Sequence, residues 1–72
     1  MNIFCEIRDK ANLTQEQIGE KIGVTNRSYS HYENGRRTPS SATAKKLIRL
    51  TKTLGIRNGR KQYTLEDVLG AP

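Results

Sequence analysis

A capped helix, a glycine stop and a second cap follow one another between Thr14 and Thr25, and this run constrains the fold more than anything else in the chain. Thr14-Gln15-Glu16-Gln17 has the form of a capping box: the Thr14 hydroxyl accepts from the backbone N–H of Gln17, and the Gln17 amide reaches back. Ile18 and Ile22 follow as inward residues, with Leu13 in front as a hydrophobic staple. Gly23 ends this helix, because glycine enters the left-handed conformation of a sharp interhelical turn at little cost. Thr25 caps a third helix that runs to about Glu33 and closes at Asn34-Gly35. Tyr29 and Tyr32 form its apolar stripe, while Arg27, Ser30, His31 and Asn34 point the opposite way.

The flanking residues supply helices to pack against this pair. Ile3, Phe4 and Ile7, continued by Ala11, predict a short amphipathic helix over 2–11 that ends at Asn12, with Cys5 flanking its buried face. Pro39 and Ser40 open a fourth helix reaching about Leu54 and closed by Gly55. Its inward residues are Ala44, Leu47, Ile48 and Leu54, and Lys45, Arg49 and Lys52 line the far side, with Lys46 beside them. A last short helix is expected over 64–69, with Glu66 and Asp67 complementing its dipole and Leu65, Val68 and Leu69 as its apolar contacts. The fold class is therefore all-α, a compact domain of four to five helices with a helix-turn-helix formed by helices 2 and 3. Segment 56–63 admits three readings: a flexible link, a hairpin turned at Asn58-Gly59, or a basic arm reaching DNA or a partner subunit. The link or turn leads, because Ile56 and Tyr63 are only a thin version of flanking apolar strands. Tyr29, Tyr32 and Tyr63 have the chemistry to stack on single-stranded bases, but two of the three belong more naturally to the core.

Size and charge narrow the function. With 72 residues, a third of them apolar, no Trp and one Phe, one domain with a thin core is expected, and self-association would add stability. A net charge of +6 favours a polyanionic partner, and charge alone does not separate DNA from RNA, a membrane surface or an acidic protein. The charge is uneven: residues 1–35 carry four basic and five acidic side chains, residues 36–61 nine basic and none acidic, and residues 62–72 only Glu66 and Asp67. A single cysteine, an opening Met-Asn-Ile-Phe without the pattern of a secretory signal, and no apolar run near the roughly 20 residues of a membrane span imply a cytoplasmic protein with no membrane partner. Catalysis finds little to work with. There is one His, one Cys, no metal-ligand spacing, no Gly-rich phosphate loop and no obvious carboxylate pair, so no enzyme activity, metal or cofactor is expected. Cys5 pairs with His31 as a nucleophile only if the fold joins them, and beside Phe4 it reads as core.

The run Leu13-Thr14-Gln15-Glu16-Gln17-Ile18-Gly19-Glu20-Lys21-Ile22-Gly23-Val24-Thr25, with Ser28, Tyr32-Glu33-Asn34-Gly35-Arg36-Arg37 and Pro39-Ser40, resembles the Xre or lambda-repressor-like helix-turn-helix family. The resemblance covers roughly residues 3–55. It implies a four- or five-helix domain, commonly a dimer, whose third helix reads bases and whose Gln15 anchors the second helix to a phosphate. Gly19 stands where that family usually has Ala; it fits sterically, at about 0.5–1 kcal/mol of helix stability. Tyr29 stands where a buried Ile or Val is usual, so packing beneath the third helix must differ in detail.

The residues support the same function independently. A major groove about 12 Å wide admits one helix whose outward side chains must hydrogen-bond base edges, and Asn26, Arg27, Ser30 and His31 have that chemistry. Arg27 can fork onto guanine, Asn26 can pair with adenine, and Ser30 or His31 can act one turn further along. Gln15, Thr25, Ser28, Asn34, Arg36 and Arg37 suit phosphate contacts that set register. The row Lys45, Arg49 and Lys52 reads as a solvated face that attracts DNA at long range. The expected function is a sequence-specific, double-stranded DNA-binding transcriptional regulator, a dimeric repressor on a near-palindromic operator of phage, plasmid or restriction-modification type. Contact with RNA polymerase would turn it into an activator. The competing reading is an antitoxin-like module that binds a toxin and its own operon, for which Gly70-Ala71-Pro72 supplies no obvious extension. Chain length leaves no room for a separate ligand domain, and the final helix, through Leu65, Val68 and Leu69, is the expected dimer surface.

Overall fold

Each expected helix forms where its capping chemistry places it. The computed structural model describes residues 2–70, in which five helices follow one another: α1 (Ile3–Ala11), α2 (Gln15–Ile22), α3 (Asn26–Glu33), α4 (Ser41–Leu54) and α5 (Leu65–Leu69). The α2 capping box closes in both directions, Gln17 N–H donating to the Thr14 hydroxyl at 3.1 Å and Thr14 N–H to the Gln17 amide oxygen at 2.9 Å. Thr25 accepts from Ser28 N–H at 3.1 Å and starts α3. Two helices begin one residue later than the sequence suggests. Asn2 and Thr64 are extended cap residues whose side chains accept the first free backbone N–H groups, so they precede α1 and α5 instead of belonging to them.

The α2–α3 turn brings two backbones into contact. Gly23 adopts φ +79° and ends α2, and Val24 N–H donates to the Gly19 carbonyl at 2.8 Å. A Cβ added at Gly19 would lie 2.6 Å from the Val24 carbonyl oxygen. Glycine therefore fits the close contact expected between the two helices, and a Cβ there would have to shift backbone.

One core joins all five helices: Phe4 and Ile7 from α1, Ile18 and Ile22 from α2, Tyr29 and Tyr32 from α3, Ala44 and Leu47 from α4, and Tyr63 and Val68 at the C-terminal end. Phe4, Tyr29 and Tyr32 form an aromatic cluster with ring centroids 5.5 to 6.1 Å apart, and the Phe4–Tyr29 pair meets edge to face at 87°. The Tyr29 hydroxyl, wholly buried, donates to the Phe4 carbonyl at 2.7 Å. This bond lets a tyrosine occupy a position where an aliphatic residue would need no partner.

Three expectations about burial change. Leu54 is 45% exposed, because it ends α4 at the point where the chain leaves, and Thr51 takes the inward position one turn earlier. The Thr51 hydroxyl turns back to the Ile48 carbonyl at 2.6 Å, which satisfies it without a polar neighbour. Segment 56–63 is a tight turn, placed one residue later than expected: Asn58 and Lys61 exchange two backbone hydrogen bonds around Gly59-Arg60. That turn returns Tyr63 to the core, so all three tyrosines are buried. Finally, Val68 faces inward and Leu65 and Leu69 are half-buried against the same core, so α5 spends on its own fold much of the face expected to form a dimer. Ala71 and Pro72 lie outside the described residues. Among the described residues, no helix is long and apolar enough to cross a membrane.

Candidate nucleic-acid interface

The N-terminal turn of α3 carries Asn26 and Arg27 as its first two residues, both exposed. Neither side chain has a hydrogen-bond or ion-pair partner among the described residues, so both are free to reach outward. Ser30 and His31 lie further along α3 and are half-buried. The His31 Nδ1 is buried without a partner, which leaves Nε2 as the nitrogen open to another molecule. His31 and Cys5 form no pair among the described residues.

The residues expected to meet phosphate fall at the ends of α2 and α3. The Thr25 hydroxyl accepts from Ser28 N–H and donates to the Ser28 hydroxyl at 3.1 Å. The proton of Ser28 therefore remains available as a donor. Asn34 caps the end of α3 and is exposed. The backbone N–H groups of Arg36 and Arg37 both donate to the His31 carbonyl, at 2.9 and 3.3 Å. The loop thus folds back on the end of α3, and Arg36 and Arg37 stand exposed there.

Gln15, the first residue of α2, is not simply a free donor. Its amide N–H donates to Glu33 Oε1 at 2.9 Å, and the same carboxylate is held by Arg8 Nε on its other oxygen. Arg8 also reaches the Leu13 carbonyl at 3.3 Å. One guanidinium and one carboxylate therefore tie α1, the α1–α2 turn, the start of α2 and the end of α3 together. The hydrogen bond to Glu33 is the main reason the Arg8 pKa is raised, with burial opposing it. Sequence reasoning missed both residues: 25 positions separate Arg8 from Glu33, and no helical or strand periodicity links them. The only hint was that Glu33 sits in the Tyr-Glu-Asn-Gly run that closes α3.

None of the nine basic residues of 36–61 takes part in an ion pair among the described residues; the two pairs present are Arg8–Glu33 and Lys10–Glu6. The positive field of this half is therefore not internally neutralised. A family model described as Helix-turn-helix matches residues 6–55, the span that holds α2, α3 and every residue of this interface. No curated protein and no solved structure matches the chain.

Proposed function

The chain belongs to the Xre/lambda-repressor-like helix-turn-helix family, and from that premise we propose that this DNA-binding transcription regulator reads the sequence of duplex DNA with α3. The observation that carries the reading is the capped N-terminus of α3, where Asn26 and Arg27 stand exposed without partners inside the protein. With α3 in the major groove, Arg27 forks onto guanine O6 and N7 and Asn26 pairs with adenine N6 and N7. Ser30 and the Nε2 of His31 meet base edges one turn further along. Gln15, Thr25, Ser28, Asn34, Arg36 and Arg37 hold the flanking phosphates and set the register.

A two-fold dimer on a near-palindromic operator is the simplest assembly, with reading helices about 34 Å apart on one face of the duplex. Such a protein represses by occupying a promoter, in the manner of a phage, plasmid or restriction-modification regulator acting in the cytoplasm. The test is selection of bound duplexes from a random pool at physiological salt, with the natural chain and with Arg27→Ala. The expected outcome is a two-fold-symmetric site whose preference relaxes at one position in each half-site in the variant, at a cost of about 1–3 kcal/mol for each lost contact. Binding that enriches no sequence and only fades with salt would refute the reading.

A further inference from the structure

A groove between α4 and the segment leading into α5 lies outside the reading face. Lys45, Arg49 and Lys52 form its α4 wall, and Ile48, Tyr63 and Leu65 form an apolar floor beneath an opening of about 530 Å³. The three cations are exposed, and none has an ion-pair or side-chain hydrogen-bond partner among the described residues. The floor is firm: Tyr63 is buried and held through its hydroxyl by Glu6 and Lys10, and Ile48 and Leu65 pack against the core. Glu66 and Asp67 do not line the groove, so its charge is of one sign. No residue of α2, α3 or the loop carrying Arg36 and Arg37 lines it either.

The two halves of this surface ask for different chemistry. A phosphate backbone would use the cations and leave the apolar floor wet. A ligand that satisfies both halves carries carboxylates at helical spacing along one edge and aliphatic side chains beside them. We propose that the groove is a docking seat for an acidic amphipathic segment of a second protein. Its carboxylates lie over Lys45, Arg49 and Lys52 and its aliphatic side chains cover the half-buried Ile48 and Leu65. The charges supply rate and register, and apolar contact with Ile48 and Leu65 adds to the affinity. The seat shares no residue with α3, so a protein docked there rides on the regulator while α3 holds DNA.

The test uses the full chain and three fluorescent probes. One is a synthetic helix with glutamates at i, i+4 and i+7 beside a leucine stripe, one is a poly-glutamate peptide of equal length, and one is a duplex selected for α3 binding. At physiological salt, the amphipathic helix should saturate and bind at least about tenfold more tightly than poly-glutamate. It should shift the amide resonances of Ile48, Tyr63 and Leu65. The Lys45→Gln/Lys52→Gln variant should lose that binding at least about tenfold, while its affinity for the duplex falls severalfold less and equally for every sequence, as loss of long-range attraction alone requires, and its circular dichroism is unchanged. Arg27→Ala should do the reverse. Four results would overturn the proposal: no saturable binding, equal binding of poly-glutamate, a matching loss of duplex affinity in the double variant, or a dimer that the double variant dissociates. The third would make the row a DNA contact, and the last would give the groove to a second copy of the chain.

Discussion

Gly19 decides how tightly α2 and α3 can turn on one another. Alanine would gain about 0.5–1 kcal/mol in helix propensity, but its Cβ would stand 2.6 Å from the Val24 carbonyl oxygen. Displacing backbone in a packed turn costs about 1–3 kcal/mol, so the clash wins. Gly19→Ala should lower the urea midpoint with little change in slope; an unchanged or higher midpoint would show that the turn relaxes freely. The buried tyrosines give a second prediction at this scale. Burial is the first cause of a raised pKa at both Tyr29 and Tyr63, and hydrogen bonding to Glu6 adds to it at Tyr63. Both phenols ionise more readily in the unfolded chain, near their ordinary value of 10. Their contribution to stability is therefore full below about pH 10 and lost as pH rises above it. Unfolding followed by urea across alkaline pH should show a plateau and then a steep fall. A flat profile to pH 12 would contradict the burial of these hydroxyls.

At the scale of elements, the joint between the reading helix and its neighbours rests on Arg8 and Glu33. Their side chains are 23% and 10% exposed, so removing the cation strands a largely desolvated carboxylate. Partial solvent access moderates the loss, and Arg8→Met should cost about 1–3 kcal/mol of stability by chemical denaturation. It should also weaken binding to every DNA sequence alike, because Gln15 shares the same carboxylate. A variant that loses preference at one base position only would place Arg8 in base reading instead. The elements themselves were legible in the sequence because caps are local: Thr14 with Gln17, Thr25, Asn34 and Gly55 act on backbone groups within a few residues. The misplaced starts at Asn2 and Thr64 come from the same chemistry, since a good cap and a first helical residue look alike until the backbone dihedral is known.

For the whole molecule, the uneven charge makes a prediction about salt. If Arg36 and Arg37 each neutralise a phosphate, Arg36→Ala and Arg37→Ala should each reduce the slope of log affinity against log salt by about 1. Lys45→Ala and Lys52→Ala, on the α4 groove, should reduce that slope by much less, because they act only at long range. A common loss across all four would mean that the basic half acts as a diffuse field instead of a set of contacts. Dimerisation is tested in the same preparation. A melting temperature that rises with protein concentration is expected of a dimer, and a constant one would leave pairing to the operator. With Val68 turned inward, such a dimer cannot be built on the full apolar face of α5.

Local chemistry written in the sequence determined the helices, their caps, the glycine turn and the polar outer face of α3, because each depends on residues within one or two turns. The charge partition was equally plain, since it needs only counting. Tertiary structure alone decided which distant groups meet. It set the Arg8–Glu33–Gln15 joint, the return of Tyr63 to the core through the turn at Gly59, and the exchange of Leu54 for Thr51. It also brought the α4 cations beside Tyr63 and Leu65. Those outcomes depend on how helix axes cross and where each helix runs out of neighbours, and periodicity carries no record of either.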